Sequence, residues 1–162
     1  MKKLVLALVG LVLAAAAGTA VYIASIDWNQ HKNKIAEQFF EATGRNIVFE
    51  GPVAFKILPH PYLNASKVKI YNAKNREAPL VEIPNLVANL ALGPLLKGNV
   101  EVERMTLENP QINVEVGDDG QFNWENDFTP EQRQTIEQSQ IKFNSISLNK
   151  AQVTFNDPTR DI

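Results

Sequence analysis

Few residues in this chain have the types and spacing for chemistry. His31 and His60 stand 29 positions apart on different elements. No H-E-x-x-H, no His-x-His and no carboxylate-rich loop accompanies them, so they lack the spacing of a metal pair. His60, between Pro59 and Pro61, reads as a turn residue. The chain has no cysteine, which removes thiol catalysis, zinc ribbons, iron–sulfur clusters and disulfide frameworks. No G-x-S-x-G elbow presents a serine nucleophile. Gly98, Gly117 and Gly120 are not followed by Lys-Ser/Thr, so they form no phosphate loop. Asp118 and Asp119 suggest calcium, but the stretch 117–120 has too few oxygen ligands for a hard cation. A tight hairpin turn with Asp-Gly suits it better. Glu101, Glu103 and Glu108 read as the solvated side of a strand. The sequence therefore assigns no catalytic residue, no metal ligand and no cofactor, and no enzyme activity is expected.

What remains is the apolar pattern and the elements that carry it. The chain has 162 residues, with 16 Lys+Arg against 18 Asp+Glu and a formal net charge of −2. It is too short for a multidomain enzyme of ordinary size. The near-neutral charge argues against a nucleic-acid binder, which would carry a basic surplus. Residues 4–26 contain no charge at all. Setting aside Lys2 and Lys3, which precede this run, residues 27–162 hold 14 basic and 18 acidic residues, a net charge of −4.

At about 1.5 Å per residue, the charge-free run reaches ~35 Å as a helix, enough to cross a ~30 Å hydrocarbon core. Two lysines before it, and none after it until Lys32, predict a cytoplasmic N-terminus. Leu4, Leu8, Leu11, Leu13, Val21, Tyr22 and Ile26 are the anchor residues on this reading. The competing reading is a cleaved signal peptide, with its apolar core at 4–13 and small residues at 14–20. Either way the rest of the chain is exported.

Asp27 and Gln30 are spaced as a capping box. A helical apolar stripe follows at 28–43, ending at Gly44 as C′ residue. This stripe is expected to pack on a sheet. On a sharper reading, Trp28, Ile35, Phe39 and Phe40 also meet lipid at the membrane surface. After Gly44 the period changes to two. Strand runs are expected around 47–57, 62–72, 80–92, 100–107, 111–116, 141–150 and 152–156. Gly51-Pro52 is a turn, bulge or edge break in the first, since proline cannot donate to a ladder. Ile83-Pro84-Asn85 breaks the third, and Asn109-Pro110 marks a turn. Thr129-Pro130-Glu131-Gln132 is a second capping box, opening a polar surface helix or linker.

The chain also repeats itself at an offset of 41 residues. The stretch 105–114 matches 146–155, each with alternating apolar residues, a polar turn, then Gln and further alternation. Val68 to Ala73 matches the first half of the unit 37 residues earlier. Each unit reads as a hairpin that must stack on its neighbours. A strand directly before the final residues, with no closing element, suggests the N-terminal piece of a longer protein, or a truncated one. The expected organisation is a stub and anchor at 1–26, an amphipathic helix at 27–44, a β-module at 45–128, a polar helix or linker at 129–140, and the start of a next repeat at 141–162.

Several motifs, taken in order, carry a resemblance. They are the Lys-flanked span, Thr43-Gly44-Arg45, Gly51-Pro52, and Pro59-His60-Pro61-Tyr62-Leu63. Next come residues 67–72 and 92–98, then Leu107-Glu108-Asn109-Pro110-Gln111-Ile112, and finally residues 119–124, which end in Asn123-Trp124. Together they resemble the N-terminal region of the AsmA family over essentially the whole chain.

The resemblance implies an uncleaved inner-membrane anchor with the body in the periplasm. It implies a mainly β fold: a transmembrane helix, a short amphipathic helix, a curled antiparallel sheet forming an open groove, and one further short polar helix. It also implies kinship with chorein-type lipid bridges and passage of phospholipid to the outer membrane. The candidate groove residues are Ile47, Phe49, Val53, Phe55, Ile57, Val68, Ile70, Leu86, Leu90, Leu107, Ile112 and Val114. About eight strands ~4.8 Å apart would make a groove ~35–40 Å long, too short to join two membranes. The expected partners are membrane phospholipid and the inner membrane, with no nucleic acid. The alternative is a scaffold or assembly factor for outer-membrane proteins or other envelope factors, acting by strand addition at an open edge.

Overall fold

The computed structural model describes residues 10, 14, 15, 17, 18, 21, 22, 25, 27–57, 59–72, 77–97, 99–117, 120–125, 129–138 and 141–157. Among these, no helix is long and apolar enough to cross a membrane. Of the expected anchor residues, Val21 and Tyr22 are described, and both are helical and exposed. Leu4, Leu8, Leu11, Leu13 and Ile26 lie outside the described residues.

The first described element after residue 26 is a 3-10 turn at Trp28–His31, which runs on into α1 at Lys32–Thr43. The expected capping box is only half made. Asp27 Oδ1 accepts from the Asn29 N–H at 3.1 Å, while Gln30 Nε2 donates to the Asp27 carboxylate instead of its Oε1 accepting from the Asp27 N–H. The tighter 3-10 turn follows from this i+2 contact. α1 ends as expected: Gly44 takes a left-handed φ of 67° and its N–H donates to Phe40 O at 2.7 Å, a conformation only glycine adopts freely.

The remainder is a mixed α/β body around one open, mainly antiparallel sheet of nine strand segments. These are β1 (Asn46–Phe49), β2 (Val53–Lys56), β3 (Tyr62–Tyr71), β4 (Val81–Leu90), β5 (Glu101–Glu108), β6 (Gln111–Glu115), β7 (Lys142–Phe143), β8 (Ile146–Asn149) and β9 (Gln152–Asn156). A short helix, α2 (Leu92–Leu96), joins β4 to β5, and α3 (Pro130–Glu137) lies between β6 and β7. α3 opens on the complete capping box that Thr129 and Gln132 predict.

The nine segments lie in five rows. β1 and β2 both pair with β3, so they are one broken strand. β5 and β6 both pair with β4, and β7, β8 and β9 pair in turn with β5 and β6. The expected groove of about eight strands is thus corrected to five rows, and four spacings give only ~19 Å.

The breaks lie side by side. Ser66, Asn85, Glu108 and Asn149 are successive cross-strand partners. Beside them stand Gly51-Pro52, Lys67, Pro84, Asn109-Pro110 and Lys150. Lys67, Asn109 and Lys150 are the non-glycine residues with positive φ among those described, at 50°, 51° and 54°. A single left-handed residue interrupts a strand without reversing it. The hairpin expected at Asn109-Pro110 is therefore a kink in one continuous strand. The burial alternation slips by one across this line: Ala65 and Val68 are buried in β3, and Ile83 and Leu86 in β4. One bend line crosses the whole sheet.

The 41-residue repeat is present but does not consist of stacked hairpins. Met105 pairs with Ile146, Leu107 with Leu148, Ile112 with Val153 and Val114 with Phe155. Each of these pairs is offset by 41, and Asn109 and Lys150 are offset by the same amount. The two units lie in register and parallel, not antiparallel as expected. A parallel neighbour requires a crossover, and residues 116–141, including α3, supply it.

Candidate functional site

The core forms on one face of this sheet. Ile47, Val53, Ala65, Val68, Ile83, Leu86, Ala88, Val102 and Leu107 are buried in one cluster. The roof over it is the 3-10 turn and α1, whose Trp28, Ile35, Ala36 and Phe39 pack against the cluster. Trp28 meets Phe55 with ring centroids 5.0 Å apart, and Asn29 Oδ1 accepts from the Val53 N–H at 3.0 Å. Three of the four residues named for a membrane-surface role thus lie on the sheet. Phe40, the fourth, is half-buried.

The structure gathers eight of the twelve candidate groove residues onto this cluster. Ile47, Val53, Val68, Leu86 and Leu107 are in it, and Phe49, Ile70 and Leu90 pack against it. Phe55 is opposite Leu63, and Ile112 is opposite Val81. Val114 is buried and Ile57 half-buried. Under the roof these side chains touch protein.

The last row differs. Ile146 is 61% exposed, Leu148 49%, Val153 65% and Phe155 61%. Each pairs with a partner that is buried or half-buried, so the apolar face continues past the roof into the open. Scattered exposed leucines are ordinary, but four in one row extending a core are not. These four were not among the candidates. The repeat carried the signal, since it aligned each of them with a residue of β5 or β6.

At one end of the sheet the motif residues form a latch. Thr43 Oγ1 donates to Phe39 O at 2.7 Å and accepts from the Arg45 N–H at 3.2 Å, finishing α1. Arg45 Nη2 then donates to Trp124 O at 2.8 Å. Asn72 Nδ2 donates to Asn123 O at 2.7 Å, and Asn123 Nδ2 donates to Asn113 O at 2.8 Å. Phe122 and Trp124 stack at 4.4 Å. Segment 121–125 thereby ties together the ends of three rows and the helix terminus. Arg45 Nη1 and Asn123 Oδ1 are buried without a hydrogen-bond partner; one is a donor and the other an acceptor. Burial lowers the Arg45 pKa, yet a guanidinium keeps its charge.

No group of three or more His, Asp or Glu able to hold a metal occurs among the described residues. Lys69 Nζ pairs with Glu50 Oε1 at 2.9 Å.

The AsmA family profile matches residues 1–161. The chain belongs to the AsmA family. Membership places it in the bacterial envelope with a lipid-related function of AsmA type, and the family is non-enzymatic. No curated protein and no solved structure gives a significant match. In this chain Thr43-Gly44-Arg45 ends the roof helix, and Asn123-Trp124 latches the sheet.

Proposed function

We propose that the chain is anchored in the inner membrane by residues 4–26, stands in the periplasm, and holds phospholipid acyl chains against its apolar sheet face. It thereby contributes to lipid transport to the outer membrane and to that membrane's homeostasis. The observation that carries this reading is the open continuation of the core face over Ile146, Leu148, Val153 and Phe155. Acyl chains laid there remove apolar area from water at about 25 cal/mol per Å², while headgroups stay in solvent. The step is passive and needs no covalent chemistry.

The test is mass spectrometry of lipid co-purified with the full chain, comparing it with Val153→Glu Phe155→Glu. The variant should retain its far-UV circular dichroism and lose bound phospholipid. Equal lipid in both would sink the reading.

The edge of β8 and β9 that pairs with no strand among the described residues favours a second reading, strand addition by an outer-membrane protein or other envelope factor. Gln152 N donates to Pro110 O, so the next N–H, that of Val153, points away from β6. Val153→Pro removes that donor and keeps an apolar side chain. Lost function with lipid retained would favour the edge over the face.

A further inference from the structure

A second exposed apolar element is α2. Leu92 is 46% and Leu96 79% exposed, within the run Leu92-Gly93-Pro94-Leu95-Leu96 that ends at Lys97. The fold makes α2 a neighbour of the point where the charge-free segment ends. Trp28, two residues past Ile26, lies on Phe55. Phe55 is opposite Leu63, and Leu63 opposite Ala88. Leu90 N donates to Pro61 O, and Ala91 N donates to Glu101 O. Three strand spacings, about 15 Å, therefore separate the chain's exit from α2 along one end of the sheet. The latch, with Trp124, occupies the other end.

The charges at this end are asymmetric too, in a chain acidic beyond residue 26. Lys56, Lys97 and Lys142 are all exposed there, with His31 and His60. Acidic residues described at this end include Asp27 and Glu101. Asp27 is committed to Asn29 and Gln30, and Glu101 Oε1 accepts from Asn144 Nδ2 at 2.8 Å. An open cleft of about 490 Å³ lies between α2 and the starts of β5 and β7, with Lys97 and Lys142 on its wall beside Pro94 and Val100. Leucines projecting beyond lysines suit a phospholipid surface, because the apolar tips enter the acyl region while ammonium groups stay with the phosphates.

The geometry points to α2 as a second membrane contact. Leu92 and Leu96 enter the outer leaflet of the anchoring bilayer, and Lys97 and Lys142 receive lipid phosphates at the cleft mouth. The occupant is the phospholipid bilayer itself. This rests on the anchor reading, and it holds the sheet end at the membrane by two points instead of one. A body held at two points cannot swing about the anchor, so the apolar face keeps one orientation to the leaflet.

The absence of cysteine makes the test direct. Leu96→Cys and, at the latch end, Val48→Cys are each labelled with an environment-sensitive fluorophore in the full chain. Val48 is also an exposed apolar residue. The chains are reconstituted into vesicles of phosphatidylethanolamine and phosphatidylglycerol and recovered by flotation. Position 96 should be shifted to the blue and quenched by lipid carrying a shallow nitroxide, and position 48 should show neither effect. Lys97→Glu Lys142→Glu should weaken docking by roughly fivefold or more per lysine removed, read as lost quenching at position 96. A chain that floats with position 96 as wet as position 48 overturns the foot and leaves the anchor standing. A chain that does not float overturns both. A dry position 96 unreached by the nitroxide means protein covers it, whether a second copy or another partner, and also overturns the foot.

Discussion

Strands β5–β6 and β8–β9 have the same pattern and opposite fates. Leu107 is 7% exposed and its repeat partner Leu148 49%; Val114 is 9% exposed and Phe155 61%. Residue type, alternation and kink position are shared. What differs is the neighbourhood. Leu107 lies between β4 and β8, whereas among the described residues Leu148 has a strand on one side only. Burial here is a property of position in the stack. A sheet that grows by such units always has one row exposing what the others bury, and the roof helix closes only the opposite side.

The sharpest break of this comparison is a truncation made once in each half. Ile83 is 1% exposed, at the centre of the roofed cluster. Ile83→Ala should cost about 2–5 kcal/mol, from lost transfer energy and a cavity that cannot collapse. Leu148→Ala should cost less than about 1 kcal/mol, since half the side chain is already in water. Urea titration of the chain in mild detergent checks both. Equal losses would mean that the open row is buried in solution by something bound to it.

Next in size is the bend line that both halves share. A Cβ on Gly51 would meet Ser66 Oγ at 2.7 Å and its backbone carbon at 2.8 Å. Backbone cannot yield as a side-chain tip can, so Gly51→Ala should cost about 1–3 kcal/mol. Amide exchange should rise in β1 to β3 and stay unchanged in β9. Exchange rising equally in every row would show that the bend is transmitted across the sheet.

Much of this was legible in the sequence. Alternation located the strands, Gly44 and Thr129 marked helix ends, and the 41-residue offset is the sheet register itself. The direction at Asn109-Pro110 was not legible. Asn before Pro serves a reversal and a kink equally well, because both need a residue tolerant of positive φ beside one without an N–H. Parallel pairing was hidden for a related reason: it is decided by the crossover at 116–141, not by either strand. Parity assigned each run a candidate face. It could not show that α1 covers half of that face, since a helix stripe fits a sheet or a membrane equally well.

The latch gives a smaller effect. Asn72→Ala removes donors to Asn123 O and Glu125 O and should cost about 1–2 kcal/mol. In a chain whose other tryptophan, Trp28, is replaced by Phe, the Trp124 emission should shift to the red as segment 121–125 detaches. The open row is tied to this end through β6, so lipid retained on Phe155 should fall with it. Unchanged lipid would show that the open row stands without the latch.

The smallest effect sits at the lip of the roof and depends on pH. The Asn29 side-chain amide, then the Asn29 N–H and the Gln30 side chain, hold the Asp27 carboxyl below its ordinary value of 3.8. A carboxyl depressed on folding contributes stability that is fully present above 3.8 and is lost as pH falls through its folded value. The 3-10 turn that seats Trp28 on Phe55 should therefore be unaffected between pH 5 and 8 and loosen only in acid. With Trp124 replaced by Phe, Trp28 emission should shift to the red below about pH 4. In Asp27→Ala it should already be shifted at neutral pH, with no further acid step from this site. The screened, exposed carboxylate makes this a local change in the roof, with little loss of global stability. An acid shift that persists in Asp27→Ala would assign the opening of the roofed half to another group.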